Sequence, residues 1–273
     1  RARARSAARG IAGRAGRGVP TWAPSNMSNS TRNFNPESEV GTYNVRTDTF
    51  TPVSAGTANA LSWVGRTSNG TLLTTKGNLT IGSTTIDNAS YRTISSTSQS
   101  INDGSYSKTG ENIFHAFCTS LRVFSSKGLL KVGSSLNGYE LSFNSEFKPV
   151  VTFKNSTADS NEFVATGTFA ATAAQFQVHV IQRVGNSLIW SIDGNKCIDV
   201  KTSYLGGSGV AIPSLFKGFS GSTVPSYELL EYFRSDATAT TEIDRIKAEG
   251  YLAHKYSIDL PRGHRYKKSA PGA

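Results

Sequence analysis

The 273 residues suffice for one large all-β domain or two small ones. Only 18% are charged, and Ser, Thr, Asn and Gly recur in every segment, which suits many strands with polar faces and frequent turns; no apolar stretch approaches membrane-spanning length. The formal net charge of +10 is carried by the ends: seven Arg precede the first acid, Glu37, four basic residues follow the last, Asp259, and the remaining 18 of the 29 basic residues face all 19 acids in a near-neutral body.

In chain order, "RARARSAARGIAGRAGRG" comes first, a low-complexity run with almost nothing to bury that is expected to be disordered when alone. Its arginines, Arg1, Arg3, Arg5, Arg9, Arg14 and Arg17, read either as a solvated tail or as an arm that neutralises phosphate or threads into a neighbouring subunit. No apolar core follows them, so no signal peptide is expected. "VPTWAPSN" then reads as a linker with one anchoring aromatic, Trp22, and completes an arm-and-linker region over 1–36. The only methionine is Met27, so either an upstream piece is removed by processing or the residues before Met27 are not native.

From 37 to 260, short β-rich runs alternate with Gly/Asn turns, the pattern of a sandwich or barrel. In "QFQVHVIQRV", Phe176, Val178, Val180 and Gln182 share one face; after the turn at Gly185-Asn186, Leu188, Trp190 and Ile192 follow at period two. This predicts a hairpin with a single apolar face, extended through an Asp193-Gly194 turn into a third strand around Cys197. Cys118 and Cys197 lie far apart in apolar runs, as buried free thiols do.

The last element has a helical period. Ile243, Ile246, Gly250 and Ala253 fall on one face, and Thr241 with Asp244 reads as a capping box, so the spacing predicts a helix over 241–256, with Gly250 allowing close approach to a sheet. A basic tail, 261–273, follows. The helix opens on Glu-Ile-Asp, which on a strand would set two carboxylates side by side, as sugar hydrolysis requires. On a helix Glu242 and Asp244 diverge by about 200°. They are therefore expected to be scaffold in a first turn favoured by the helix dipole, and the chain is expected not to be an enzyme.

"EIDRIKAEGYLAHKY" followed by "LPRGHRYKKSAP" resembles the closing signature of concanavalin A-like, laminin-G-type jelly-roll domains of phage and bacterial surface proteins. The matching residues include Glu249, Gly250, Tyr251, Leu252, Ala253, His254, Lys255, Leu260, Pro261, His264, Tyr266, Lys267 and Pro271. The usual Trp-Gly after the helix is Tyr256-Ser257 here. The resemblance implies an all-β, laminin-G-like jelly-roll sandwich with one C-terminal helix, in which the signature residues are structural. It also implies a virion: a non-enzymatic capsid or decoration protein, of phage type, whose partners are other copies of itself, other virion proteins and, through the arm, encapsidated nucleic acid. The alternative is a glycan-binding host-recognition module of a head or tail fibre, with Tyr106, Tyr139, Trp190, Tyr204 and Tyr227 as candidate sugar platforms that could equally be core. No cofactor or membrane partner is expected. His115 and His179 read as structural, no histidine pair has zinc spacing, and the loop acids Asp87, Asp103, Asp159 and Asp193 form no dense calcium-binding run.

Overall fold

The computed structural model describes residues 22–27, 31–34, 40–44, 49–52, 56–67, 72–95, 101–102, 106–108, 112–121, 127–133, 137–155, 162–204, 209–211, 213–215, 227–235 and 240–272. Nineteen strands precede one helix: β1 (Thr31–Phe34), β2 (Val40–Asn44), β3 (Thr49–Pro52), β4 (Gly56–Thr67), β5 (Leu72–Ile86), β6 (Ala89–Ser95), β7 (Ile101–Asn102), β8 (Tyr106–Lys108), β9 (Asn112–Leu121), β10 (Lys127–Gly133), β11 (Gly138–Phe143), β12 (Pro149–Lys154), β13 (Glu162–Thr166), β14 (Phe176–Val184), β15 (Ser187–Ile192), β16 (Asn195–Lys201), β17 (Gly209–Ala211), β18 (Pro213–Leu215), β19 (Tyr227–Ser235) and α1 (Glu242–Tyr256). The large sheet runs β16-β15-β14-β9-β19-β6-β5-β4-β2-β3, with β1 bridging β19 and β4; the small sheet runs β13-β12-β11-β10-β18-β7. A ribbon of β8 and β17 stands apart.

The two sheets pack face to face. Phe143 of the small sheet meets Trp190 edge-on at 5.5 Å, in a core that also holds Leu141, Val151 and Phe153 opposite Phe117, Ile181 and Tyr232. A second core lies on the other face of the large sheet. There Phe114, Ala116, Cys118, Val178, Val180 and Phe233 meet Ala248, Leu252 and Tyr256 of α1. The described residues thus form an all-β sandwich with a third layer made by the helix, residues 22–27 and the C-terminal segment. The centre of the large sheet is buried on both faces, which is why β9 and β14 read as nearly continuous apolar runs.

This third layer corrects the single-faced hairpin. In the β14–β15 register Ile181 opposes Trp190 and His179 opposes Ile192, so Leu188, Trp190 and Ile192 point to the small sheet while Val178 and Val180 point to the helix. The hairpin is apolar on both faces. The three-stranded meander is present, and its second turn places Asp193 (φ 49) and Gly194 (φ 78) in the left-handed region.

The helix begins where the capping box predicts. Asp244 N–H donates to Thr241 Oγ1 at 3.3 Å and Asp244 Oδ2 accepts from Thr241 N–H at 2.7 Å. Its buried face differs from the expected one. Ile243 is 53% exposed, whereas Arg245, Ala248, Glu249 and Leu252 are buried, because polar anchors as well as apolar ones hold the helix down. Gly250 approaches the C-terminal segment rather than a sheet: a Cβ there would lie 2.8 Å from Cβ of Tyr266.

The described parts of the segments assigned to linker and tail, residues 22–27, 31–34 and 261–272, pack against or pair with the sandwich and its helix. Strand β1 pairs with β19 from Thr31↔Ser235 to Phe34↔Tyr232, and Trp22 and Met27 join the helix-side core. Trp22, 2% exposed, packs against Tyr251 at 5.7 Å and Phe233 at 6.5 Å, and its backbone N–H donates to Pro271 C=O at 3.2 Å.

Candidate functional site

The residues that sequence singled out as a closing signature come together on the helix-covered face of the large sheet. Two buried carboxylates organise them. Glu249, on α1, accepts from Arg245 Nη1 at 2.6 Å, from Ser191 Oγ on β15 and from His264 Nε2 at 2.9 Å. Because Nδ1 of His264 accepts from the Tyr266 N–H at 3.1 Å, Nε2 carries the proton that it gives to Glu249. The tail is fastened twice more: His254 Nε2 donates to the Tyr266 carbonyl at 2.6 Å, and the tight Gly194 turn backs onto His264 and Pro261.

The second carboxylate, Glu231, is fully buried and accepts from Tyr251 Oη at 3.1 Å, Tyr256 Oη at 2.8 Å and Lys255 Nζ at 2.6 Å. Burial alone would pull the Lys255 pKa down; the Glu231 carboxylate outweighs it and holds the ammonium above its ordinary range. Burial, reinforced by Glu231, keeps the Tyr251 and Tyr256 hydroxyls protonated. Glu231 reaches this face through a bulge. The β19–β9 register slips between Leu229 and Glu231, so Leu230 and Glu231 both turn to the helix, and Tyr232 returns to the inter-sheet core. No periodicity argument finds Glu231, since the bulge breaks the period that such an argument needs.

This cluster holds the fold together. Ser191, Glu249 and His264 are serine, acid and histidine, but the carboxylate sits between the other two and accepts from both, so the imidazole cannot take the serine proton. All three are covered, as Ser191 is 0% exposed and Glu249 0%. Glu242 and Asp244 behave as scaffold: Asp244 closes the cap, and Glu242 accepts from Arg245 at 3.1 Å with its side chain 66% exposed.

The interior histidines differ: His115 has a partner on each ring nitrogen, whereas neither ring nitrogen of His179 has one among the described residues. His115 bridges the two sheets, with Nε2 2.6 Å from Tyr139 Oη and Nδ1 3.1 Å from Tyr232 Oη; burial, then the charge of Arg234, holds its pKa well below the usual value. Burial alone lowers His179 to about 3. Both thiols are free and buried, and burial pushes Cys197 up to about 12 and Cys118 well above its ordinary range. Missed by sequence reasoning is Arg183, fully buried and donating to the carbonyls of Gly185 (2.8 Å), Thr202 (3.0 Å) and Tyr204, with its guanidinium 5.0 Å from the Phe153 ring centre.

Of the candidate sugar platforms, Tyr139, Trp190 and Tyr227 are core residues, at 0%, 0% and 4% exposure. Tyr204 is half-buried and stacks on Phe163 at 6.0 Å, and the side chain of Tyr106 lies outside the described residues. Arg1, Arg3, Arg5, Arg9, Arg14 and Arg17, with Asp103 and Asp159, also lie outside them. Among the described residues no group of three or more His, Cys, Asp or Glu side chains could hold a metal ion, and no helix is long and apolar enough to cross a membrane.

One face of the sandwich remains open to solvent in the described residues, the outer face of the small sheet. Register sets Lys131, Glu140, Thr152 and Val164 in one row across β10–β13, and Ser142, Val150 and Thr166 in the next. A Lys154–Glu162 ion pair at 3.1 Å borders them. These side chains alternate with buried core residues and are half-buried or exposed.

No protein-family model and no curated protein matches the sequence. Among solved structures, domain 4 of AbnA, an extracellular arabinanase of Geobacillus stearothermophilus seen with arabinotriose, is similar at a TM-score of 0.49 and 10% identity, over 67% of this chain and 92% of that one. A CBM40 domain of a Ruminococcus gnavus IT-sialidase, bound to sialyllactose, gives 0.44 and 8% over 56% and 93%. Trypanosoma rangeli sialidase gives 0.47 and 8%, with this chain spanning 32% of that one. At such distances the two packed sheets and the helix layer, rather than the likenesses, define the class of this protein: an antiparallel β-sandwich closed by a C-terminal clasp.

Proposed function

We propose that the chain is a non-catalytic carbohydrate-binding module whose binding surface is the outer face of β10–β13. The observation that carries this reading is the pair of side-chain rows, in which Lys131, Glu140 and Thr152 stand next to Ser142 and Thr166. Hydrogen-bonding groups there repeat about 4.8 Å across strands and about 6.8 Å along them, a grid that the hydroxyls of a sugar ring can bridge. The described residues of this face carry no aromatic ring, so recognition is by polar contacts and is weak and reversible. A ¹⁵N NMR titration of the full chain, guided by a glycan array, tests it. Saturable shifts confined to β10–β13, abolished by Thr152→Arg and Ser142→Arg, are expected. An array without a binder, or shifts elsewhere, would overturn it, and sugar release by the wild type would overturn the non-catalytic part.

A second reading, a structural protein of a virus particle, draws on one observation. Trp22 pairs with Pro271 on the helix-covered side of the large sheet, where Arg262, Arg265, Lys267 and Lys268 of the C-terminal segment are exposed, opposite the open face. A protein with a basic side and a neutral polar side suits a shell that has an inside and an outside. Closed particles seen by electron microscopy of the purified chain would support it; a monomer at all concentrations and salt conditions would count against it.

A further inference from the structure

The small sheet ends at β13, and the backbone bonds on either side of β12 fix which way that end strand faces. Asn144 N–H donates to Lys148 C=O at 3.0 Å, and Gly167 N–H to Pro149 C=O at 2.7 Å. From that phase Val150, Thr152 and Lys154 bond β11, while Pro149, Val151 and Phe153 bond Gly167, Ala165 and Phe163. Glu162, Val164 and Thr166 therefore turn their N–H and C=O groups away from β12. The edge they form meets no strand among the described residues.

The other described ends of the two sheets are blunted. Strand β16 is broken by a bulge at Cys197 and exposes Lys196, Asp199 and Lys201; β3 ends on Pro52; β7 has two residues. Strand β13 has none of these devices. It runs for five residues without Pro, Gly, Lys or a register shift, and Val164 at its centre is 51% exposed. An edge of this kind is a template for another strand.

We infer that β13 pairs with β13 of a second copy of this chain, antiparallel and centred on Val164, joining two small sheets into one. The strand's own pattern selects that occupant. In this register Val164 faces Val164, and Glu162 faces Thr166 of the second copy, so no like charges meet. Each facing pair exchanges both backbone bonds, because all three residues present N–H and C=O outwards. Phe163, half-buried, lies opposite the small Ala165 on the core side. The two-fold relation keeps both open faces on one side, so the row Lys131, Glu140, Thr152, Val164 runs on into the same row of the second copy. The pairing does not depend on the sugar reading; where that reading holds, the second copy contributes half of the binding surface.

Five residues bury less than the about 1,600 Å² of a standard interface, so the dimer is weak and forms with rising concentration. Sedimentation velocity of the full chain, over a series reaching millimolar concentration, tests it. The wild type should pass from monomer to dimer. Val164→Pro removes a donor that β12 does not use, so it should abolish the dimer and leave the melting temperature little changed. Thr166→Lys sets a cation opposite Glu162 of the second copy at two symmetric positions and should tighten the dimer by roughly 2- to 30-fold. Thr166→Glu should weaken it by a similar factor. A chain monomeric at every concentration would overturn the inference and leave the edge to a strand of another protein. A dimer that survives Val164→Pro, or that ignores the sign of the charge placed at Thr166, would put the contact elsewhere and overturn it as well.

Discussion

His264 Nε2 lies 2.9 Å from Glu249 Oε2, and the contact joins the C-terminal segment to the helix on the covered face of the large sheet. Glu249 also receives Arg245 and Ser191, so one carboxylate ties helix, sheet and tail together. Removing it leaves the buried Arg245 guanidinium with only the exposed Glu242 carboxylate as a charged partner. Glu249→Ala should cost about 3–5 kcal/mol in a urea titration, and Glu249→Gln less, because the amide oxygen still accepts. Equal losses in the two variants would mean that the charge pairing is not what matters.

Gly250 lies beneath Tyr266. Ala is ordinarily the better helix former by about 1 kcal/mol, yet here its Cβ meets the Tyr266 ring and Cβ at 2.8 Å. Gly250→Ala should therefore destabilise the wild type by about 1–3 kcal/mol. In a Tyr266→Ala background the same change should be neutral or stabilising, a sign reversal that a double-mutant cycle reads directly.

Trp22 anchors the N-terminal end of the described residues to the fold. Trp22→Ala should cost about 3–5 kcal/mol by emptying a site between Phe233 and Tyr251. Deleting residues 1–18 leaves that site filled and should not move the unfolding midpoint. The two measurements separate the anchor from the arm.

Two buried groups give acid responses of opposite sign. His179, with neither ring nitrogen hydrogen-bonded among the described residues, is lowered by burial to about 3. Its folded pKa is depressed, so the stability it contributes is present above pH 6.5 and is lost as pH falls towards 3. His179→Leu should thus gain on the wild type across that window. Asp193 is raised by burial to about 6 despite bonds from Val178 N–H and Gln177, so its contribution is present below pH 4 and is lost as pH rises through 6. Relative to Asp193→Asn, the wild type should strengthen on acidification from pH 7 to 4. Differences that do not vary with pH, measured by denaturant titration, would refute either assignment.

Strand alternation, turn dipeptides and the Thr241/Asp244 box were enough to read the β-rich body, the β14–β16 meander and the closing helix, because each depends on neighbours a few residues apart. The divergence of Glu242 and Asp244 followed from helical period alone. The sequence also carried the clasp residues as a signature without saying what they do. What only the tertiary structure decided is which face each residue serves. A third layer made both faces of the β14–β15 hairpin apolar, the β19 bulge turned Glu231 towards the helix, and the Tyr266 ring claimed the space over Gly250. Those outcomes depend on segments far apart in the chain arriving at one place, and periodicity within a segment carries no record of what will pack against it.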